Sequence, residues 1–259
     1  MPDFDNNGAS VHYELIGSGT PLLCLAGLAS DGASWGPLTP LLADRFRLIL
    51  IDNRGCGRTR VDDSFTLPDM ASDAAALLDH LGIDETDLLG HSLGGVLALM
   101  LAAREPGRIR RVVTMATGAV GNARRVMLHD MARLYFTTPP EDWFRLLYQW
   151  LFSDPFFASE VNVASAAAGS ASYPYRQSPA DFARQVAAVD ALAPFDMSPI
   201  RAPILALAAG NDLMCPEAAV RALYTGLPGV THATIANAAH SIHWEASEDV
   251  AARIREFLR

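Results

Sequence analysis

Cysteine is scarce in this sequence: three in 259 residues, at Cys24, Cys56 and Cys215. That odd, scattered set contains no Cys-x-x-Cys pair, so it offers neither a disulfide framework nor a zinc spacing, and a reducing compartment is the expectation. Positive charge is also in deficit. With 20 Lys and Arg against 29 Asp and Glu the formal net charge is −9, which argues against nucleic acid as a partner, since a phosphate backbone calls for a clustered basic surface. The short run Arg108, Arg110, Arg111 reads instead as a solvated edge ahead of a strand. Long apolar runs are missing too: none reaches the roughly 20 residues of a spanning helix, so no membrane contact is expected. The start, Met1-Pro2-Asp3-Phe4-Asp5, lacks the basic-then-apolar pattern of a secretory leader. Together these absences predict a cytoplasmic protein.

What the chain does have is apolar mass. Half of its residues are hydrophobic and 19% are charged, enough for a large core in one domain, or in one domain carrying an insertion. Continuous apolar runs at Leu22–Ala26 and Arg47–Ile51 read as strands buried on both faces, Arg111–Ala116 as another buried strand, and Thr86–Leu89, Pro203–Ala208 and Thr231–Ile235 as further strands. Helical patterns fall between and after them, at 35–42, 68–81, 96–102, 216–224 and 247–258. In the second of these, Leu67, Met70, Ala74, Leu77, Leu78 and Leu81 form one stripe. Strand-helix alternation predicts an α/β fold with a mostly parallel, doubly wound sheet.

From about 121 to 199 the alternation stops. This stretch reads as successive helices, with Thr138-Pro139-Pro140-Glu141 and Ser178-Pro179-Ala180-Asp181 as capped starts. It holds 13 of the 21 aromatic residues, rings that must be buried against something. The expected organisation is a core of residues 1–120 and 200–259, with 121–199 as a helical lid whose inner face makes an apolar pocket. A homodimer through two such faces remains open.

The chemistry is expected at Gly90-His91-Ser92-Leu93-Gly94, where a serine sits between glycines at a strand-to-helix junction. A tight turn there tolerates only small neighbours and projects the hydroxyl from the top of the sheet. A serine hydroxyl needs a neutral imidazole to take its proton and a carboxylate to orient that imidazole. Asp212 and His240 each follow an apolar strand, in the order serine, acid, base. Asp52 and His243 are their rivals; Asp212 and His240 are favoured, the latter because small Ala238 and Ala239 lead into it. His91 is expected to point away from the serine and pack the turn. Asp52 is expected to hold Arg54 and backbone amides in a structural turn. A developing oxyanion needs donors, and the backbone amides of Leu93 and Leu28 are the candidates. Trp35, Trp143 and Trp244 are candidate substrate contacts. No metal and no organic cofactor is implied.

These motifs resemble the alpha/beta-hydrolase fold family over essentially the whole chain. Leu25-Ala26-Gly27-Leu28 is similar to its oxyanion loop, Asp52-Asn53-Arg54-Gly55-Cys56-Gly57 to its Asp-x-Arg-Gly-x-Gly turn, and Gly90–Gly95 to its nucleophile elbow. Ala26 departs from the pattern, since many members carry histidine there. Ser92 sets the chain apart from the dehalogenase and epoxide hydrolase branches, which use aspartate. The stretch from Leu28 to Trp35 resembles 3-oxoadipate enol-lactonase-like members, whereas 52–58 is similar to prolyl iminopeptidases. The resemblance implies a serine hydrolase cleaving an ester or lactone of a small, largely apolar acyl compound through an acyl-enzyme on Ser92. A carbon-carbon bond hydrolase of a vinylogous diketone, or a ligand-binding protein with negligible turnover, are the alternatives.

Overall fold

The computed structural model describes residues 3–259; Met1 and Pro2, part of the start read above, lie outside the described residues. Eight strands form the sheet: β1 (Asp3–Asn6), β2 (Ala9–Ile16), β3 (Thr20–Leu25), β4 (Phe46–Ile51), β5 (Thr86–His91), β6 (Ile109–Met115), β7 (Ile204–Ala209) and β8 (Val230–Ile235). They lie in the order β1-β2-β4-β3-β5-β6-β7-β8. The β1/β2 and β2/β4 pairs are antiparallel and every other pair is parallel.

Side chains alternate across a pleated strand, and the two faces of this sheet show it. Leu23, Leu25, Ile49 and Ile51 point into one core, with helices α2 (Leu67–His80) and α3 (Leu93–Arg104). Leu22, Cys24, Leu48 and Leu50 point into the other. That second layer is built by α1 (Thr39–Leu42), α11 (Ser247–Phe257) and Trp35. The predicted stripe of α2 packs as expected, and its start is fixed by a capping box between Thr66 and Asp69.

Several local expectations change. The helix expected over 35–42 is a 3-10 turn at Gly32–Trp35 followed by the single turn of α1; Gly36 and Pro37 interrupt it. The Arg108–Arg111 run is not a free basic edge: Arg108 pairs with Asp79 and Glu105, and Arg110 with buried Asp87. All three cysteines are buried and free. No helix among the described residues is long and apolar enough to cross a membrane.

Between β6 and β7 the chain forms α4 (Asn122–Tyr135), α5 (Pro140–Leu151), α6 (Asp154–Phe157), α7 (Glu160–Ser172) and α8 (Pro179–Asp190). Ser178 caps α8 by accepting from the Asp181 amide, as its sequence suggests. Thr138 caps nothing; α5 starts from Pro139 with no side-chain cap. These helices have an apolar centre of their own around Tyr135, Trp143, Leu147 and Phe182. After β7 come α9 (Glu217–Leu223), then β8, then α10 (Ile242–Glu245) and α11.

Candidate active site

The turn after β5 is built for close approach. Ser92 has φ 52° and ψ −116°, a strained conformation for a residue with a Cβ. It is pinned by its own N–H to the Met115 carbonyl and by the Thr117 hydroxyl on its carbonyl. A Cβ on Gly94 would collide with the Leu25 carbonyl, and one on Gly90 with the backbone of Gly94. The glycines therefore let α3 press against the ends of β3 and β5, which leaves Ser92 half-buried at the tip.

Two further loops bring the partners in. Gly210-Asn211-Asp212 follows β7, and the segment through Asn237 to His240 follows β8. They are tied together by Asn211 N–H donating to the Ala238 carbonyl. The Ser92 Oγ lies 2.9 Å from His240 Nε2, and His240 Nδ1 lies 2.9 Å from Asp212 Oδ2. Because a carboxylate only accepts, Nδ1 carries the proton and Nε2 is free to accept from the serine hydroxyl. Asp212 Oδ1 accepts from the Met214 and Cys215 amides, each at 2.8 Å. Burial by itself would push the Asp212 carboxyl up. The His240 charge and hydrogen bond, with those two amides, outweigh it and hold the carboxyl below its ordinary value.

Sequence reasoning set His243 and Asp52 as rivals, and both are placed elsewhere. His243 is buried between His91 and Trp35, its Nδ1 without a partner among the described residues. Asp52 accepts from the Gly32 and Arg58 amides. It does not hold Arg54, as expected from the motif; Arg54 makes a two-point pair with buried Asp73.

Two contributors had not been assigned a part in the site. His91 does more than pack the turn: its Nε2 lies 2.8 Å from the His240 carbonyl, to which it donates. Glu245 accepts from the Ala239 amide through Oε2 and from the Ser153 amide and hydroxyl through Oε1. It thus joins the loop before His240 to the segment between α5 and α6. Glu245 closes the single-turn α10 just ahead of α11 and carries no signal of its own in the sequence, so only the three-dimensional arrangement singles it out.

The Leu28 and Leu93 amides have no hydrogen-bond partner among the described residues. Leu93 is the first residue of α3, where helix amides are unpaired by construction. The Leu28 loop is shaped by a Ser30-to-Gly27 turn bond and by Ala29 N–H on Gln185 Oε1. A Cβ at Gly27 would press on His91 Nδ1, so this glycine leaves room for the imidazole.

A cavity of about 870 Å³ lies between the inserted helices and this end of the sheet, with Leu28, Trp143, Phe144, Asn237, Ser241 and Trp244 in its wall. Ser92 and His240 are not themselves part of that wall; their neighbours Leu28 and Ser241 border it. Trp35 is a correction. It is buried under the sheet beside His243 and lines no part of the cavity. Trp143 is stacked on Tyr135 and tied to the Met131 carbonyl, and Trp244 is half exposed at the rim. No group of residues suited to a metal ion occurs among the described residues.

The family model described as "alpha/beta hydrolase fold" matches residues 20–162, more than half of the chain. The chain belongs to the alpha/beta hydrolase fold family. Among related sequences, this alpha/beta hydrolase is 31% identical over 232 residues to the "Putative carbamate hydrolase RutD" of Variovorax paradoxus, covering 85% of each chain. The solved "Putative non-heme bromoperoxidase BpoC" of Mycobacterium tuberculosis superimposes with a TM-score of 0.85 at 27% identity, covering 96% of this chain and 95% of that one. The enol-lactonase of Burkholderia xenovorans shares the fold with a TM-score of 0.87 at 23% identity over 99% of both chains.

Proposed function

We propose that this alpha/beta hydrolase cleaves an ester or lactone of a small, largely apolar acyl compound through an acyl-enzyme on Ser92. The observation that carries the reading is the continuous Ser92–His240–Asp212 hydrogen-bonded relay. Ser92 Oγ attacks the carbonyl carbon while its proton passes to His240 Nε2. The negative oxygen is met by the Leu28 and Leu93 amides, and Asp212 stabilises the imidazolium without taking its proton. Collapse expels the alkoxide, protonated by His240. Water activated by the same imidazole then releases the acid and restores Ser92. Residues 121–199 act as a lid that keeps bulk water from the acyl-enzyme, with Trp143 packed inside it, and shape is selected through Trp244 at the rim. The names of two relatives, a carbamate hydrolase and an enol-lactonase, both describe acyl compounds open to this attack, which supports the reading.

The test is initial-rate hydrolysis of short aryl esters, lactones, enol-lactones and aryl carbamates at neutral pH, with Ser92→Ala as the reference. The expected result is turnover of at least one ester or lactone, with kcat lower by about 10⁶-fold in the variant. Folded wild-type protein that turns over no ester or lactone, or a variant as active as wild type, overturns it.

A further inference from the structure

The cavity wall is not apolar throughout. Beyond Leu28 the loop runs on to Asp31, whose carboxylate lies in the wall with Tyr173, Arg176 and Gln177. Asp31 is 9% exposed. Its Oδ1 accepts from the Ala33 amide at 3.0 Å and its Oδ2 from the Tyr173 hydroxyl at 2.8 Å. No cation pairs with it among the described residues. Asp52 lies close by, against the same face of Gly57, so the surroundings add negative charge. Burial and the Asp52 charge together push the Asp31 carboxyl up.

Gln177 is 5% exposed, and its Oε1 has no hydrogen-bond partner among the described residues. The amide cannot be turned round to cure this, because its Nε2 donates to the Gly55 carbonyl at 2.9 Å and also meets Cys56 Sγ. Gln185 donates to the same sulfur and accepts from the Ala29 amide. The patch is therefore tied by direct bonds to the loop that carries Leu28.

The hydroxyl donors nearest Asp31 are already committed, and Arg176 in part. The Tyr173 hydroxyl is spent on Asp31, the Ser34 hydroxyl on the Asp31 carbonyl, and Arg176 Nη1 on the Tyr135 hydroxyl. Arg58 stacks on Tyr175 and pairs with Glu14. What is left unmet at Asp31 and Gln177 is acceptor capacity, with the Asp31 charge paired to no cation; the Arg176 guanidinium, elsewhere in the wall, likewise has no carboxylate partner among the described residues. A ligand that relieves both Asp31 and Gln177 must present donors and positive charge.

We propose that Asp31 and Gln177 form a subsite for a protonated amino group carried by the substrate at the end remote from its scissile carbonyl. The placement of that carbonyl rests on the serine-hydrolase reading above. Asp31 is the third residue after Leu28, which limits their backbone separation to about 11 Å. An amine on an acyl chain of five or six atoms fits that span.

Binding to Ser92→Ala protein separates this proposal from turnover. Titration calorimetry compares 6-aminohexanamide with heptanamide, which replaces the ammonium by a methyl group, and with adipamate, in which a carboxylate takes the place of the terminal aminomethyl group. The expected result is that 6-aminohexanamide binds at least about tenfold more tightly than heptanamide, the effect of one charge-assisted hydrogen bond. That advantage should shrink to under about twofold when Asp31→Asn is added. Asparagine retains the oxygen that accepts from Ala33; should that protein not fold, Gln177→Met is the second variant and should lower the advantage several-fold. Equal binding of the amine and the alkyl probe overturns the proposal. So does tightest binding of adipamate, which would assign the wall to Arg176. An ester panel with no turnover would leave this result standing, and absent amine selectivity would leave the turnover result standing.

Discussion

His91 Nε2 and the backbone carbonyl of His240 are 2.8 Å apart, so the residue preceding the serine holds the backbone of the residue that faces it. His91 is 7% exposed, and burial, followed by the nearby His240 charge, pushes its imidazole down to about 3. It is therefore a neutral ring at working pH with its Nε2 proton directed at the carbonyl. His91→Phe removes that donor and leaves the carbonyl unmet, at a cost of about 1–3 kcal/mol. The expected outcome is a lower urea midpoint with an unchanged m-value, and a fall in kcat larger than any change in KM. A variant with wild-type kcat would show that the bond does not position the base.

The buried histidines also set the acid limit. His91 at about 3 and His243, well below its ordinary value through burial and the charges of His91 and His240, bind fewer protons folded than unfolded. Their contribution is complete above the ordinary value near 6.5 and is lost as pH falls toward 3, at up to about 1.4 kcal/mol per pH unit for each group. Asp212, held below its ordinary carboxylate value, contributes at any pH above that range and fails only below it. Urea midpoints between pH 7.5 and 5 should therefore fall with acid through the histidines. His243→Phe should flatten that slope, since its Nδ1 has no partner to lose among the described residues. An equally steep slope in the variant would place the acid sensitivity elsewhere.

Much of this was legible in the sequence, for an identifiable reason. Strands covered on both faces are rich in apolar runs, so β3, β4, β5, β6 and β7 were readable to within about two residues; β8, a partly exposed edge strand, was read to the same accuracy without such a run. The β1–β2 hairpin was not read, because β1 is four residues of alternating charge and apolarity. Its turn did leave a signal: Asn7 and Gly8 both have positive φ, as an Asn-Gly hairpin turn requires. Ser92, Asp212 and His240 stood out because each occupies a short loop after an apolar strand. Arg54 did not reveal its partner, since Asp73 sits inside α2, where an acid looks solvent-facing until β1 and the turn at 52–57 close over it. Glu245 and Asp31 were silent for the same reason: their partners Ser153 and Tyr173 are distant in the chain.

Asp212 is held by three donors, and only one of them is the imidazole. Asp212→Asn keeps an oxygen for the Met214 and Cys215 amides but turns its NH₂ toward His240 Nδ1. That imidazole must then place its proton on Nε2, the atom that has to accept from Ser92. The expected outcome is a folded protein with kcat down by about 10⁴-fold and little change in KM. A loss below tenfold would remove Asp212 from the relay.

Trp35 and Trp244 looked alike in the sequence and are opposite in the structure. Trp35 is 1% exposed among Leu38, Leu42 and His243, away from the cavity, whereas Trp244 is 53% exposed and stands in its wall. Trp35→Ala empties a packed site and should cost about 3–5 kcal/mol, read as a lowered thermal midpoint. KM should stay at the wild-type value in whatever fraction remains folded. Trp244→Ala removes a half-solvated ring that supports little of the core, so stability should change by no more than about 0.5 kcal/mol. KM for a hydrophobic aryl ester should rise several-fold, because the ring's apolar face is lost to the substrate. Both variants need thermal melts and Michaelis curves measured side by side. If Trp244→Ala lowered the melting temperature and left KM alone, the cavity beneath the inserted helices would no longer be the place where substrate is held, and the amine subsite at Asp31 would have to be reached by another route.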